Sequence, residues 1–111
     1  MTPTTVLCLY RVREGEVDAF ASLLATHWPT LHSAGLVTDD PARCWRSADR
    51  EGRPVMVERF TWKDASMAAR AHERPDVLAV WEPMGALCED RPGASSMEFL
   101  DLEPIGAADG A

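Results

Sequence analysis

Residues 5–12, TVLCLYRV, form a short run of β-forming residues with apolar side chains on both alternating parities. Val6, Cys8, Tyr10 and Val12 fall on one side of an extended chain, and Leu7 and Leu9 on the other. The run is too short for a stable helix and reads as a strand. A strand that is apolar on both faces needs cover on both. A lone copy of the chain would leave one face of this strand, or of PVMVERFTW at 54–62, exposed as an unusually large apolar patch.

The rest of the chain supplies one layer of that cover. After a polar break at 13–16, residues 17–35 read VDAFASLLATHWPTLHSAG. Phe20, Leu23, Leu24, then His27 or Trp28, and Leu31 recur every three to four residues, the signature of an amphipathic helix. Pro29 predicts a kink or break in it, and Gly35 a stop. LVTDDP is a loop. ARCWRSAD (42–49) and PVMVERFTW (54–62) form a hairpin across the polar connection DREGRP. In the second arm Met56, Glu58, Phe60 and Trp62 share one face; Val55, Val57, Arg59 and Thr61 share the other. Asp64 is expected to cap a second helix with a stripe of Ala65, Ala68, Ala69 and His72. Pro75 breaks that helix. VLAVWEPMGALCED restarts it, with Pro83 inside or at a new first turn. RPGASS is a loop, MEFLDLEPI (97–105) the last strand and GAADGA (106–111) a tail expected to fray. The order is β-α-β-β-α-β: a ferredoxin-like α+β domain with a four-stranded antiparallel sheet. The 111 residues make a single domain, 1–111, with its core at about 5–105.

Charge and motif content narrow the function. The net charge of −7 and scattered Lys and Arg argue against nucleic-acid binding. Cys8, Cys44 and Cys88 are odd in number and widely spaced, so neither a disulfide framework nor a zinc site is expected. Each sits in an apolar run and is read as a small buried side chain. No apolar stretch is long enough for a membrane span, and MTPTTVLCLYR lacks the basic start and cleavage pattern of a signal peptide. The expectation is a soluble, cytoplasmic protein. His27 and His32 are five apart, about 140° around a helix, so they do not form a metal-binding pair. There is no G-x-S-x-G and no glycine-rich phosphate loop.

FTWKDASMAARAH (60–72), followed by a proline break and VWEPM, resembles the dimeric α+β barrel superfamily, in its antibiotic-biosynthesis-monooxygenase-like branch. The resemblance spans about residues 5–105. It rests on a strand ending in an aromatic residue, an Asp at the helix start and A-x-x-x-H at 68–72. It implies that one sheet face packs on the helices and the other on a second subunit's sheet, making a homodimer with an eight-stranded barrel. Heme-degrading relatives resemble one another in an Asn on the first strand and a Trp and a His on the second helix. Here Tyr10, His72 and Trp81 fall at or near those positions, so that pattern is not met and no bound cofactor is expected.

The superfamily places its ligands between helices and sheet. The lining expected here is Tyr10, His27, Trp45, Phe60, Trp62, His72 and Trp81, with Arg59 or Arg46 beside Trp45 to stabilise an oxyanion. Histidine changes charge near neutrality, so His72 is the candidate catalytic base. The resemblance implies a cofactor-independent monooxygenase acting on a hydrophobic aromatic small molecule, with Tyr10 and Trp45 orienting it. The competing reading is a non-catalytic small-molecule-binding or stress-associated module. For His72 the simpler role is a core histidine, and for the tryptophans, packing.

Overall fold

A computed structural model describes residues 2–106. Its elements are β1 (Thr4–Arg11), α1 (Val17–Ser33), β2 (Arg43–Ala48), β3 (Pro54–Trp62), α2 (Met67–Ala71), α3 (Pro75–Ala86) and β4 (Met97–Leu102). The strands form one sheet in the order β2-β3-β1-β4, with every neighbouring pair antiparallel. This is the expected ferredoxin-like arrangement, with the second helix split in two. The residues 107–111 of the expected tail lie outside the described residues.

The alternation within β1 decides what the sheet faces. Val6, Cys8 and Tyr10 are buried under the helices, while Leu7 and Leu9 are only half-buried on the other side. Register carries this division across the sheet. Cys44, Glu58, Cys8 and Phe99 stand in one row on the helix side. Trp45, Val57, Leu9 and Glu98 stand in one row on the opposite side. That opposite face also carries Leu7, Leu100 and Leu102, and no helix covers it.

Helix α1 buries Phe20, Leu24, His27 and Leu31; Leu23 and Trp28 are half-buried, so His27 and not Trp28 completes the stripe. The helix runs through Pro29 without a break, contrary to the expectation above. Pro29 and Ala25 both lie on the exposed face, where water can satisfy the carbonyl that proline cannot bond. The helix ends at Gly35 (φ 75°), where Gly35 N–H donates to His32 O and Leu36 N–H to Leu31 O, a Schellman closure.

The second helical region starts later than expected. Asp64 does not cap a helix directly; its carboxylate accepts from the Ser66 backbone N–H (2.8 Å) and hydroxyl (2.5 Å), forming a turn that delays α2 to Met67. The phase shifts with it, so Met67 and Ala71 are buried, and Ala65, Ala69 and His72 are exposed. Pro75 then occupies the first turn of α3, and Pro83 sits inside that helix. Arg91 closes the opposite end of the molecule. Its buried guanidinium donates to Val12 O (2.7 Å), Pro54 O (2.9 Å), Asp49 and Glu89 (both 3.2 Å). It thereby ties the end of β1, the β2–β3 hairpin and the loop before β4 together.

The cysteines divide. Cys8 and Cys88 are buried, but Cys44 is exposed, correcting the expectation for all three. It sits on β2, an edge strand whose residues are exposed throughout.

Candidate functional site

A cavity of about 270 Å³ lies between the helix side of the sheet and helices α2 and α3. Its floor is Val6 and Tyr10 from β1, Phe60 and Trp62 from β3, and Met97, Phe99 and Asp101 from β4. Its walls are His27 from α1, Ala68 and His72 at α2, and Trp81 and Met84 from α3. Aromatic rings pack edge-on around it: Phe60 against Trp62 (4.9 Å), His27 against Phe60 (5.6 Å) and His72 against Trp81 (4.8 Å).

Strand alternation and the proline break bring these residues together. Tyr10, Phe60 and Trp62 share the helix-facing parity of adjacent strands. An unbroken helix would put His72 and Trp81, nine residues apart, on opposite sides. The turn between α2 and α3 brings them into contact.

Two of the residues expected in the cavity are elsewhere. Trp45 stands on the sheet face away from the helices and borders a separate shallow groove with Arg46 and Met56. Arg59 is on that same outward parity and reaches Asp40 at 3.9 Å. Neither they nor Arg46 can stabilise an oxyanion in the cavity.

One buried acid behind the cavity was not expected. Glu58 is fully buried on β3, between Phe60 and Met56 on the helix-facing parity. Tyr10 O–H donates to its Oε1 (2.7 Å), and His27 Nδ1 lies 2.8 Å from Oε1 and 3.1 Å from Oε2. The Trp81 indole N–H donates to His27 Nε2 (2.8 Å). An indole nitrogen can only donate, so His27 Nε2 carries no proton and Nδ1–H must point at Glu58. The carboxylate thus has two donors, the condition for keeping a buried acid in a protein core. Burial, and then the charge of Glu58, push the Tyr10 phenol well above its ordinary value, so it stays a neutral donor. The sequence held a signal for Glu58: an acid on the apolar parity of a core strand.

The three histidines differ in freedom. His27 has both ring nitrogens engaged. His32 is at the surface, stacked on Trp28 and 2.8 Å from Asp39. His72 is exposed at the cavity mouth, and its ring makes no hydrogen bond among the described residues. Among the described residues no cluster of three or more His, Cys, Asp or Glu could hold a metal ion. Among them, too, no helix is long and apolar enough to cross a membrane.

No family model and no curated protein matches the sequence. Solved structures do match the fold. SnoaB, a cofactor-independent oxygenase from Streptomyces nogalater, is similar over 96% of this chain and 97% of its own, at 16% identity and a TM-score of 0.65. A structure described as an antibiotic biosynthesis monooxygenase is similar over 92% and 98%, at 9% identity and 0.68. A dimeric ferredoxin-like protein of unknown function from Jannaschia sp. CCS1 is similar over 92% and 99%, at 18% identity and 0.63. The chain is therefore a ferredoxin-like α+β protein. More narrowly, its fold is similar to that of a structure described as an antibiotic biosynthesis monooxygenase.

Proposed function

We propose that this protein is a cofactor-independent monooxygenase acting on a compact hydrophobic aromatic molecule. The observation that carries the reading is an aromatic-walled cavity whose mouth holds a histidine with free ring nitrogens. Its volume, about 270 Å³, is at the small end for ligand sites. SnoaB, with the same fold, is a cofactor-independent oxygenase.

In this reading His72 is the proton acceptor, because His27 has no free nitrogen. An activated CH₂ group, as in an anthrone, gives His72 a proton. The carbanion passes one electron to O₂, and the radical pair joins as a C–O bond. The peroxide takes the proton back. Loss of water, with the second C–H proton, leaves a carbonyl, so one O₂ is consumed and one water formed. Phe60, Trp62 and Trp81 hold the ring system.

The uncovered sheet face gives the second part of the proposal, a homodimer. Leu7, Leu9, Val57, Leu100 and Leu102 would pack on the same face of a second copy.

The test is oxygen uptake with anthrone and naphthalene diols, for wild type and His72→Ala. Turnover by wild type with a hundredfold or greater loss in the variant is expected, on the order of what one general base contributes. Equal inertness of both, with the cavity demonstrably filled, would favour the non-catalytic binding module.

A further inference from the structure

The hydrogen-bond chain from Tyr10 to Trp81 plays no part in the steps above, yet it sets the polarity of the cavity. Tyr10 and His27 both donate to Glu58, and this holds His27 in the Nδ1–H form. The nitrogen left for the cavity side, Nε2, is an acceptor. Asp101, the acidic residue lining the same cavity, offers only acceptor oxygens when ionised. Tyr10 O–H is already spent on Glu58. The Trp81 indole N–H is likewise spent on His27, so His72, at the mouth, is the lining side chain with a donor to spare. The interior therefore has acceptors and apolar walls, with a buried carboxylate one residue behind His27.

We propose that the cavity selects neutral aromatic molecules bearing a hydroxyl group, which donates to His27 Nε2 while its oxygen accepts the displaced Trp81 indole N–H, two bonds made for one broken. His27 and Trp81 determine specificity; Glu58 and Tyr10 are positioning residues that act through His27. The inference rests on the cavity being the substrate site. Trp81 makes the selection graded. When a ligand lacks a donor, the indole keeps its bond to His27, so no acceptor is left bare and the ligand binds by apolar contact alone. A carboxylate meets acceptors and the charge of Glu58, and is excluded.

The probes are 2-naphthol, 2-methoxynaphthalene and 2-naphthoate, titrated by calorimetry. Wild type should bind naphthol about tenfold more tightly than either analogue, the scale of one or two net hydrogen bonds. Trp81→Phe removes the competing donor and keeps an aromatic wall. Naphthol then makes one bond to His27 and breaks none, the same net count as in wild type, so its preference over methoxynaphthalene should persist at about tenfold. Glu58→Gln removes the buried charge and should weaken the exclusion of naphthoate. Nitrogen-15 NMR should find the His27 proton on Nδ1 in wild type, where Trp81 donates to Nε2. If Glu58→Gln does not fold, wild-type NMR and Trp81→Phe carry the test. Equal affinity for naphthol and methoxynaphthalene, absence of binding by all three probes, or a wild-type proton on Nε2 would overturn the proposal. Hydroxyl-selective binding without oxygen uptake would leave it standing and remove the oxygenase reading. Oxygen uptake without hydroxyl selection would do the reverse.

Discussion

Tyr10→Phe isolates one link of the buried chain. The ring is 1% exposed and packs at 5.1 Å from Phe20 and 6.2 Å from Phe99. Phenylalanine keeps those contacts, so the cavity term is small. What is lost is the 2.7 Å bond to Glu58, whose carboxylate then has His27 as its one remaining partner. A hydrogen bond to a charged group is worth about 1.5–3 kcal/mol, so a loss of about 2 kcal/mol is expected. With a urea slope of about 1–2 kcal/mol per molar, the midpoint should fall by roughly 1–2 M. Unfolding followed by circular dichroism reads this, at one fixed protein concentration because self-association would shift the curve. A cycle with Glu58→Gln should show coupling of about 1–2 kcal/mol. The pH dependence has a definite sign. The folded phenol titrates above its unfolded value. Its stabilisation is therefore complete below about pH 10 and lost as pH rises through the folded value, and the gap between wild type and variant narrows there. Tyr10 is the only tyrosine, so phenolate absorbance reports it alone and should appear with unfolding. A stability change below about 0.5 kcal/mol, or additivity in the cycle, would refute the coupled network.

Arg91→Met unpairs the carbonyls of Val12 and Pro54 and takes one partner each from Glu89 and from Asp49, which keeps Arg53. It should cost about 3 kcal/mol or more, read as a lowered melting temperature, and Arg91→Lys should recover little because one ammonium cannot span four acceptors. Leu9→Glu puts a charge at the centre of the uncovered sheet face. Sedimentation should show a dimer for wild type and a 12.2 kDa monomer for the variant, and a monomeric wild type would contradict the dimer. At pH 8 a thiol reagent should modify Cys44 in the native protein. All three thiols are pushed up chiefly by burial, Cys8 to about 12 and Cys44 and Cys88 to about 11, so access decides, and the buried Cys8 and Cys88 should react only on unfolding.

The sheet was legible because alternation survives in every buried strand: β1 and β3 declare their faces residue by residue. The break before α3 was legible because Pro75 holds Arg74 extended and suits a first turn, whereas Pro29 and Pro83 lie inside helices that run on. The phase of α2 was not, since it depends on a side chain–backbone turn at Asp64 that moves the helix start two residues on, from Ala65 to Met67. Tyr10, His27, Phe60, Trp62, His72 and Trp81 could be grouped from parity and helical spacing. Trp45 could not be placed, because an edge strand with no buried residue carries no pattern to fix its register. Arg59 is different: its parity in β3 already separates it from Phe60 and Trp62, and grouping the three conflicts with alternation. Glu58 shares the parity of Met56, Phe60 and Trp62. What sets it apart is that donors from two other elements converge on it, which no local pattern records.

The three bonds of the Tyr10–Glu58–His27–Trp81 chain join residues 48, 31 and 54 positions apart. They draw on β1, β3, α1 and α3. Contacts this distant in sequence close late, after their loop entropy has been overcome. The chain cannot exist in a fragment or a half-docked intermediate. The state of His27 is therefore a timer for folding: its proton settles on Nδ1 when β3 and α3 have both docked against α1, so the site reports its own completion.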